Sequence, residues 1–247
     1  MCTVITLHRP GHPCPLLLAA NRDEMLARAW DPPAAYWPDR PDIIAGRDRS
    51  GGGTWMGLNG TGVIAAVLNR PGSLGPAPGK RSRGELPLLA LRHTSAAVAA
   101  RAVAGLDAGL WRSFNMVLAD RAGVFFVRGL GHGHPQVQAL SPGLHMVTSH
   151  DPDDMESPRV ARHLARLRDA APPACAAPDL ADWAAWRAIL ADRSGPPGGQ
   201  LNVVPRGGFG TVCTSLVALP ESESPRWLFA LGAPHETAFR PVVLGPR

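Results

Sequence analysis

At 247 residues, with 45% hydrophobic and 18% charged side chains, the chain has the composition of a soluble globular protein and core enough for one large domain, 1–247. Its net charge of +5 is spread over Arg47 to Arg49, Lys80 to Arg83 and Arg159 to Arg168; there is no basic arm and no nucleic-acid motif, which argues against nucleic-acid binding. No stretch approaches a membrane span, and four cysteines, at 2, 14, 175 and 213, show neither a CxxC pair nor zinc spacing, so reduced thiols, no metal site and a cytoplasmic location are expected.

Cys2 to Leu7 is β-branched and alternating, a strand. A turn at Arg9 to Pro13 leads to a second apolar strand, Leu16 to Ala20, which delivers Asn21-Arg22-Asp23-Glu24 at its end. An antiparallel hairpin of the two brings Asp23 back beside Cys2. Trp30, Pro32, Pro33, Trp37, Pro38 and Pro41 predict an irregular wrap over 30–42. Ile43 to Ala45 reads as a short strand. Asn59-Gly60 between Thr54 to Leu58 and Thr61 to Asn69 is a hairpin signal. Residues 84–104 read as two helical pieces, the second capped by Thr94 or Ser95.

Strands are expected near 115–119, 124–127, 137–140 and 145–149. His150 to Glu156 lacks the spacing of a calcium loop and reads as a solvated acidic loop before a helix. In that helix Val160, Leu164 and Leu167 share the buried face, with Arg159, Arg162 and Arg166 opposite. Trp183, Trp186 and Leu190 stripe a second helix as packing, between loops at 172–178 and 194–200. Strands near 211–219, 227–231 and 239–244 close the chain. Such blocks of strands and helices favour α+β, with helices outside antiparallel sheets.

Chemistry concentrates at the start of the chain. Removal of Met1 leaves Cys2 with a thiol nucleophile and an α-amine on one residue, and an N-terminal amine is a known base for such a nucleophile. Its reference pKa, about 7.7–8.0, lies near working pH. Burial at the head of a strand is the ordinary alternative for a lone cysteine.

Met1-Cys2, Ala19 to Glu24, Gly52-Gly53-Thr54-Trp55-Met56-Gly57, Asn69-Arg70, Ser82-Arg83-Gly84-Glu85-Leu86, Phe114-Asn115 and Phe209-Gly210-Thr211 stand in one order. In that pattern the chain resembles the NRDE family, also called transport and Golgi organization protein 2-like. The family is similar to the cysteine branch of the N-terminal nucleophile (Ntn) hydrolases, with choloylglycine hydrolase and penicillin V acylase. The resemblance implies a four-layer αββα sandwich, Cys2 as nucleophile, Asp23 holding its thiol and amine, and Asn69 donating to the oxyanion. It leaves Arg22 open, either favouring the thiolate or forming a structural ion pair. Asn21, Arg83, Asn115 and His150 are the candidate substrate-binding residues.

The chain departs from the pattern at Ala20, at Val212 where Gly-Thr-Arg is usual, and at Ser149-His150 where Ser-Asn is usual. Two functions follow from the resemblance. One is hydrolysis of a linear amide of a small molecule, with no cofactor. The other is non-catalytic binding and trafficking of haem, acyl-CoA or lipid, with Arg22 and Arg83 meeting acidic groups and Cys2 or a histidine ligating haem iron.

Overall fold

The structure, a computed structural model, describes residues 2–175 and 182–245. Met1 and the second half of the 172–178 loop lie outside the described residues. In chain order the strands begin with β1 (Thr3–His8), β2 (Leu16–Met25), β3 (Trp30–Ala34), β4 (Ile44–Asp48), β5 (Met56–Leu58) and β6 (Ile64–Asn69). Helices α1 (Glu85–Ala90) and α2 (Ala96–Ala104) come next, then β7 (Phe114–Ala119), β8 (Val124–Gly129), β9 (Gln136–Leu140) and β10 (Gly143–Val147). Helices α3 (Pro158–Asp169) and α4 (Ala184–Leu190) precede β11 (Phe209–Leu219), β12 (Arg226–Ala230) and β13 (Phe239–Pro241). The protein is α+β, and its strands form two antiparallel sheets. No helix among the described residues is long and apolar enough to cross a membrane.

The chain folds as two compact units. The first, Met1–Ala27 with Pro142–Val242, holds the sheet β10-β1-β2-β11-β12-β13. The expected β1–β2 hairpin forms, with Thr3 opposite Asn21 and Ile5 opposite Ala19. Strand side chains alternate between faces. Ile5, Leu17, Ala19, Leu216 and Leu228 therefore share one face, where they pack with Val160, Leu164 and Leu167 of α3 and with Trp186, Ile189 and Leu190 of α4. Trp183, at the N-cap of α4, meets Trp186 edge-on at 5.8 Å within that core.

The expectation of four reduced thiols fails here, because Cys14, just before β2, is disulfide-bonded to Cys175 after α3. Their Cα atoms lie 5.6 Å apart, inside the range a disulfide needs. A sequence separation of 161 residues carries no trace of that approach.

The second unit, Arg28–Ser141 with Val243–Arg247, is a meander with β3 to β9 in sequence order. The wrap expected over 30–42 contains a strand: Trp30 and Asp31 pair with β4 despite Pro32 and Pro33. Proline cannot donate to a ladder and is confined to edges and bulges. β3 is the edge strand, and its register shifts between Asp31 and Ala34, where the prolines fall. Asn59 closes the β5–β6 turn, its Oδ1 accepting from the Thr61 and Val63 amides while its Nδ2 donates to the Leu91 and His93 carbonyls beyond α1. Ser95 caps α2 by accepting from the Val98 amide.

Two of the sequence motifs meet back to back in this unit. The Thr54 amide donates to the Gly84 carbonyl at 2.9 Å. A Cβ added at Gly53 would lie 2.4 Å from the Gly84 backbone, so only glycine permits that approach.

Candidate functional site

Of the predicted residues of the first unit, Cys2, Asn21, Arg22 and Asp23 lie along β1 and β2 beside β11, with the first turn of α3 against Asp23. Cys2 stands at the head of β1, half-buried, and its thiol donates to the main-chain oxygen of Asp23 at 3.7 Å. The Asp23 side chain is directed elsewhere. Asn21 and Asp23 share the helix-covered face of β2 with Leu17 and Ala19, whereas period-two alternation places Arg22 on the opposite face. The sulfur therefore meets Asp23 through its backbone, and the carboxylate points toward α3.

That carboxylate is held at both oxygens. The Thr211 hydroxyl donates to Oδ1 at 2.6 Å. Nη2 of Arg159 approaches Oδ2 at 2.7 Å, with side-chain exposures of only 2% and 0% for the pair. Nη1 of Arg159 donates to Oγ1 of Thr3 at 2.9 Å, beside Cys2 in the chain. Thr211 also accepts from the Val203 amide at 2.8 Å.

The reading of α3 with Arg159 on its solvent side is corrected: Arg159 is 1% exposed. With Ser157 as N-cap and Pro158 opening the helix, Arg159 lies in the first turn, where side chains slant back past the helix start. A helical wheel leaves it about 100° from the centre of the Val160–Leu164–Leu167 stripe, a boundary position that tertiary structure resolves. His163 shares its side of the helix and is fully buried, its Nε2 donating to the Gly199 carbonyl at 2.8 Å.

Val212, where the family pattern has arginine, forms a β-bulge. Thr211 pairs with Asp23 and Cys213 with Arg22, so one extra residue stands between them. Bulges re-aim side chains, and this one lets Thr211 reach Asp23 while Cys213 falls beside Arg22. Burial pushes the Cys213 thiol well up, with Arg22 acting against it. Burial likewise raises the Cys2 thiol and the Asp23 charge adds to this, while its bond to the Asp23 carbonyl and the charge of Arg22 act the other way. Arg22 is 5% exposed and lies 3.8 Å from Glu24.

Asn21 is engaged in holding the fold. Its Nδ2 donates to the carbonyls of Leu190, at the end of α4, and Leu201, and its Oδ1 accepts from Thr214. It thereby satisfies a helix-terminal carbonyl that has no partner within its helix. His150 is half-buried, its Nδ1 3.4 Å from the Ser149 hydroxyl. In the acidic loop after it, Asp153 reaches back to the Met146 amide and to Nδ1 of His145, both at 2.7 Å.

Asn69, Arg83 and Asn115 belong to the second unit. Asn115 is fully buried and accepts from Nη1 of Arg70 at 2.6 Å. Arg83 donates to the Ser73 carbonyl and hydroxyl and to the Ser113 carbonyl, bracing the chain after β6. Asn69 ends β6 half-buried, and its carboxamide makes no hydrogen bond among the described residues. Among the described residues no group of three or more His, Cys, Asp or Glu side chains is placed to hold a metal ion.

Thr3, Arg159, Thr211 and Cys213 are the site residues that sequence reasoning missed. Thr211 had a signal, in the Gly210-Thr211 motif. Arg159 had one in Ser157-Pro158, which fixes the helix start.

Solved structures share this fold. A Caenorhabditis elegans N-acylethanolamine-hydrolyzing acid amidase ortholog superposes with a TM-score of 0.60 at 12% identity, over 90% of this chain and 95% of that one. A variant of the conjugated bile acid hydrolase from Clostridium perfringens gives 0.54 at 11% identity, over 98% and 96%. At such identities the likeness establishes the Ntn-hydrolase-like fold alone.

The human transport and Golgi organization protein 2 homolog is 31% identical over 137 residues, covering 52% of this chain and 48% of that protein. This chain thus matches about half the length of that relative. The sequence profile of Transport and Golgi organisation 2 matches residues 1–183, and the chain belongs to that family.

Proposed function

We propose that this protein is a cysteine amidohydrolase that cleaves the linear amide of a small molecule through Cys2. The observation carrying this reading is the half-buried Cys2 thiol at the head of β1, hydrogen-bonded to the Asp23 main chain, with the Asp23 carboxylate fixed at both oxygens behind it. Support comes from the fold, shared with one protein named as an N-acylethanolamine-hydrolyzing amidase and another named as a conjugated bile acid hydrolase. An N-acyl amide is the substrate class taken from those names.

The chemistry balances without a cofactor. Once whatever precedes Cys2 is removed, its α-amine accepts the thiol proton and the sulfur adds to the amide carbon, sending the carbonyl electron pair to oxygen. Arg22, flanked by Cys213 in the register, favours the thiolate by its charge. The family resemblance implies Asn69 as the oxyanion donor, and one such donor is worth about 2.7–4 kcal/mol of barrier. Collapse breaks the C–N bond, and the leaving amine takes the proton from the α-ammonium. Water then adds to the thioester, and loss of sulfur with return of the proton releases the acid and restores the thiol.

The test is a panel of N-acyl amides incubated with protein whose intact mass shows Cys2 as first residue. Amine release by the wild type and none by Cys2→Ala is expected. No turnover by protein of that mass overturns the reading. Haemin and acyl-CoA titrated into the same preparation probe ligand carriage, which a Soret shift or saturable acyl-CoA binding without amide turnover would put in place of hydrolysis.

A further inference from the structure

Helix α3 places a buried arginine against the carboxylate behind Cys2, and no step of the proposed hydrolysis uses it. Arg159 reaches Oδ2 of Asp23 at 2.7 Å and Oγ1 of Thr3 at 2.9 Å, so one guanidinium ties α3 to both β1 and β2. Thr3 follows Cys2 directly, and the Cys2 thiol is bonded to the Asp23 carbonyl. One guanidinium nitrogen donates to Thr3 while another pairs with the Asp23 carboxylate, a two-pronged contact that suits arginine and does not suit lysine, a point charge on a flexible stem. The position where the family pattern carries an arginine, 212, holds a buried valine at a bulge.

We infer that Arg159 is the positioning residue of this site, fixing the Asp23 carboxylate and offsetting its charge behind the Cys2 nucleophile. The inference rests on the reading of Cys2 as that nucleophile. It adds that the positive charge missing at 212 is supplied from a different element of the fold.

The charged and titratable groups facing Cys2 are the N-terminal amine, which lowers its thiol and is unchanged among the variants compared, Arg22 and Asp23 on β2 and Cys213 on β11, with Arg159 on α3 behind Asp23. Asp23 raises the Cys2 thiol, so removing its counter-charge strengthens that push. The effect of an uncompensated carboxylate on a neighbouring thiol is about one pH unit or more.

The experiment is the pH profile of Cys2 alkylation by iodoacetamide, read by mass, on protein with Cys2 as first residue. Arg159→Gln is expected to move the midpoint up by about one unit, Arg159→Lys to restore part of it, and Arg162→Gln, exposed on the same helix, to leave it in place. A folded Arg159→Gln protein whose profile coincides with the wild type overturns the inference. If Arg159→Gln does not fold, Thr3→Val serves, since it removes the brace and keeps the ion pair. Its midpoint moves the same way by a smaller step, and an unmoved midpoint overturns the inference. Alkylation needs no substrate, so a wild type that hydrolyses no amide leaves this result readable and removes only the proposed reaction.

Discussion

Thr211 and Asp23 sit opposite each other on β11 and β2, and the Thr211 hydroxyl closes on Oδ1 at 2.6 Å while accepting from the Val203 amide. Both residues are buried. Thr211→Val keeps the shape, removes the donor and strands the buried Asp23 carboxylate and the half-buried Val203 amide, at about 1–3 kcal/mol for each unsatisfied group. The expected outcome is a drop of about 2–4 kcal/mol in urea unfolding, together with a fall in amide turnover larger than that of any equally destabilised variant remote from Asp23.

Two of the three asparagines proposed for the site, Asn21 and Asn69, separate by experiment. Asn21→Ala leaves the Leu190 and Leu201 carbonyls and the Thr214 hydroxyl without their partner, and a loss of roughly 2–4 kcal/mol is expected. Asn69→Ala removes no hydrogen bond, so stability stays within about 0.5–1 kcal/mol. Its turnover falls about 100-fold if Asn69 is the oxyanion donor. Denaturant unfolding and kcat on one amide decide both halves.

The Cys14–Cys175 disulfide closes a loop of 161 residues. Chain entropy alone gives about 5 kcal/mol for a loop of that size, and measured values run lower, near 2–4 kcal/mol. Dithiothreitol or Cys14→Ser is therefore expected to lower the thermal midpoint by several degrees, and an unchanged midpoint in either contradicts the pairing. A disulfide of this kind suits an oxidising compartment, so the cytoplasmic location is best tested by thiol counting on protein taken directly from cells.

Stability is expected to fall at both ends of the pH scale, for opposite reasons. Burial alone would raise Asp192, but its bonds to Ser194 and Arg166 outweigh that and hold it well below 3.8. Asp153 is lowered in the same way by His145 and the Met146 amide. A depressed carboxylate stabilises the fold above its unfolded value and loses that contribution as pH drops through the folded one. Cys213 is raised from 9.0 by burial, so its contribution is complete below that value and lost as pH climbs above it. Asp192→Asn is expected to flatten the acid limb of a stability–pH curve, and Cys213→Ala the alkaline limb.

Gly53→Ala is expected to destabilise severely, by more than about 3 kcal/mol. The new methyl meets backbone atoms of Gly84 at 2.4 Å, and no side chain is there to move aside. A well-folded Gly53→Ala protein of normal stability runs counter to the described approach of the two motifs.

Much of the fold was legible in the chain because short-range chemistry wrote it. Alternation in Thr3 to Leu7, the Arg9 to Pro13 turn and the Asn59-Gly60 pair each act within a few residues, and the hairpins they predict are present. The edge strand at Trp30 was hidden by its prolines, which a bulge accommodates. At the site, the sequence by itself determined that Cys2 and the Asn21 to Glu24 segment lie side by side, since one turn joins their strands. Only the tertiary structure decided which way the Asp23 carboxylate faces and what holds it. Its partners, Arg159 and Thr211, stand 136 and 188 residues further along the chain. A boundary position on a helix and a one-residue bulge in a strand set their direction, and neither leaves a periodic mark in the sequence.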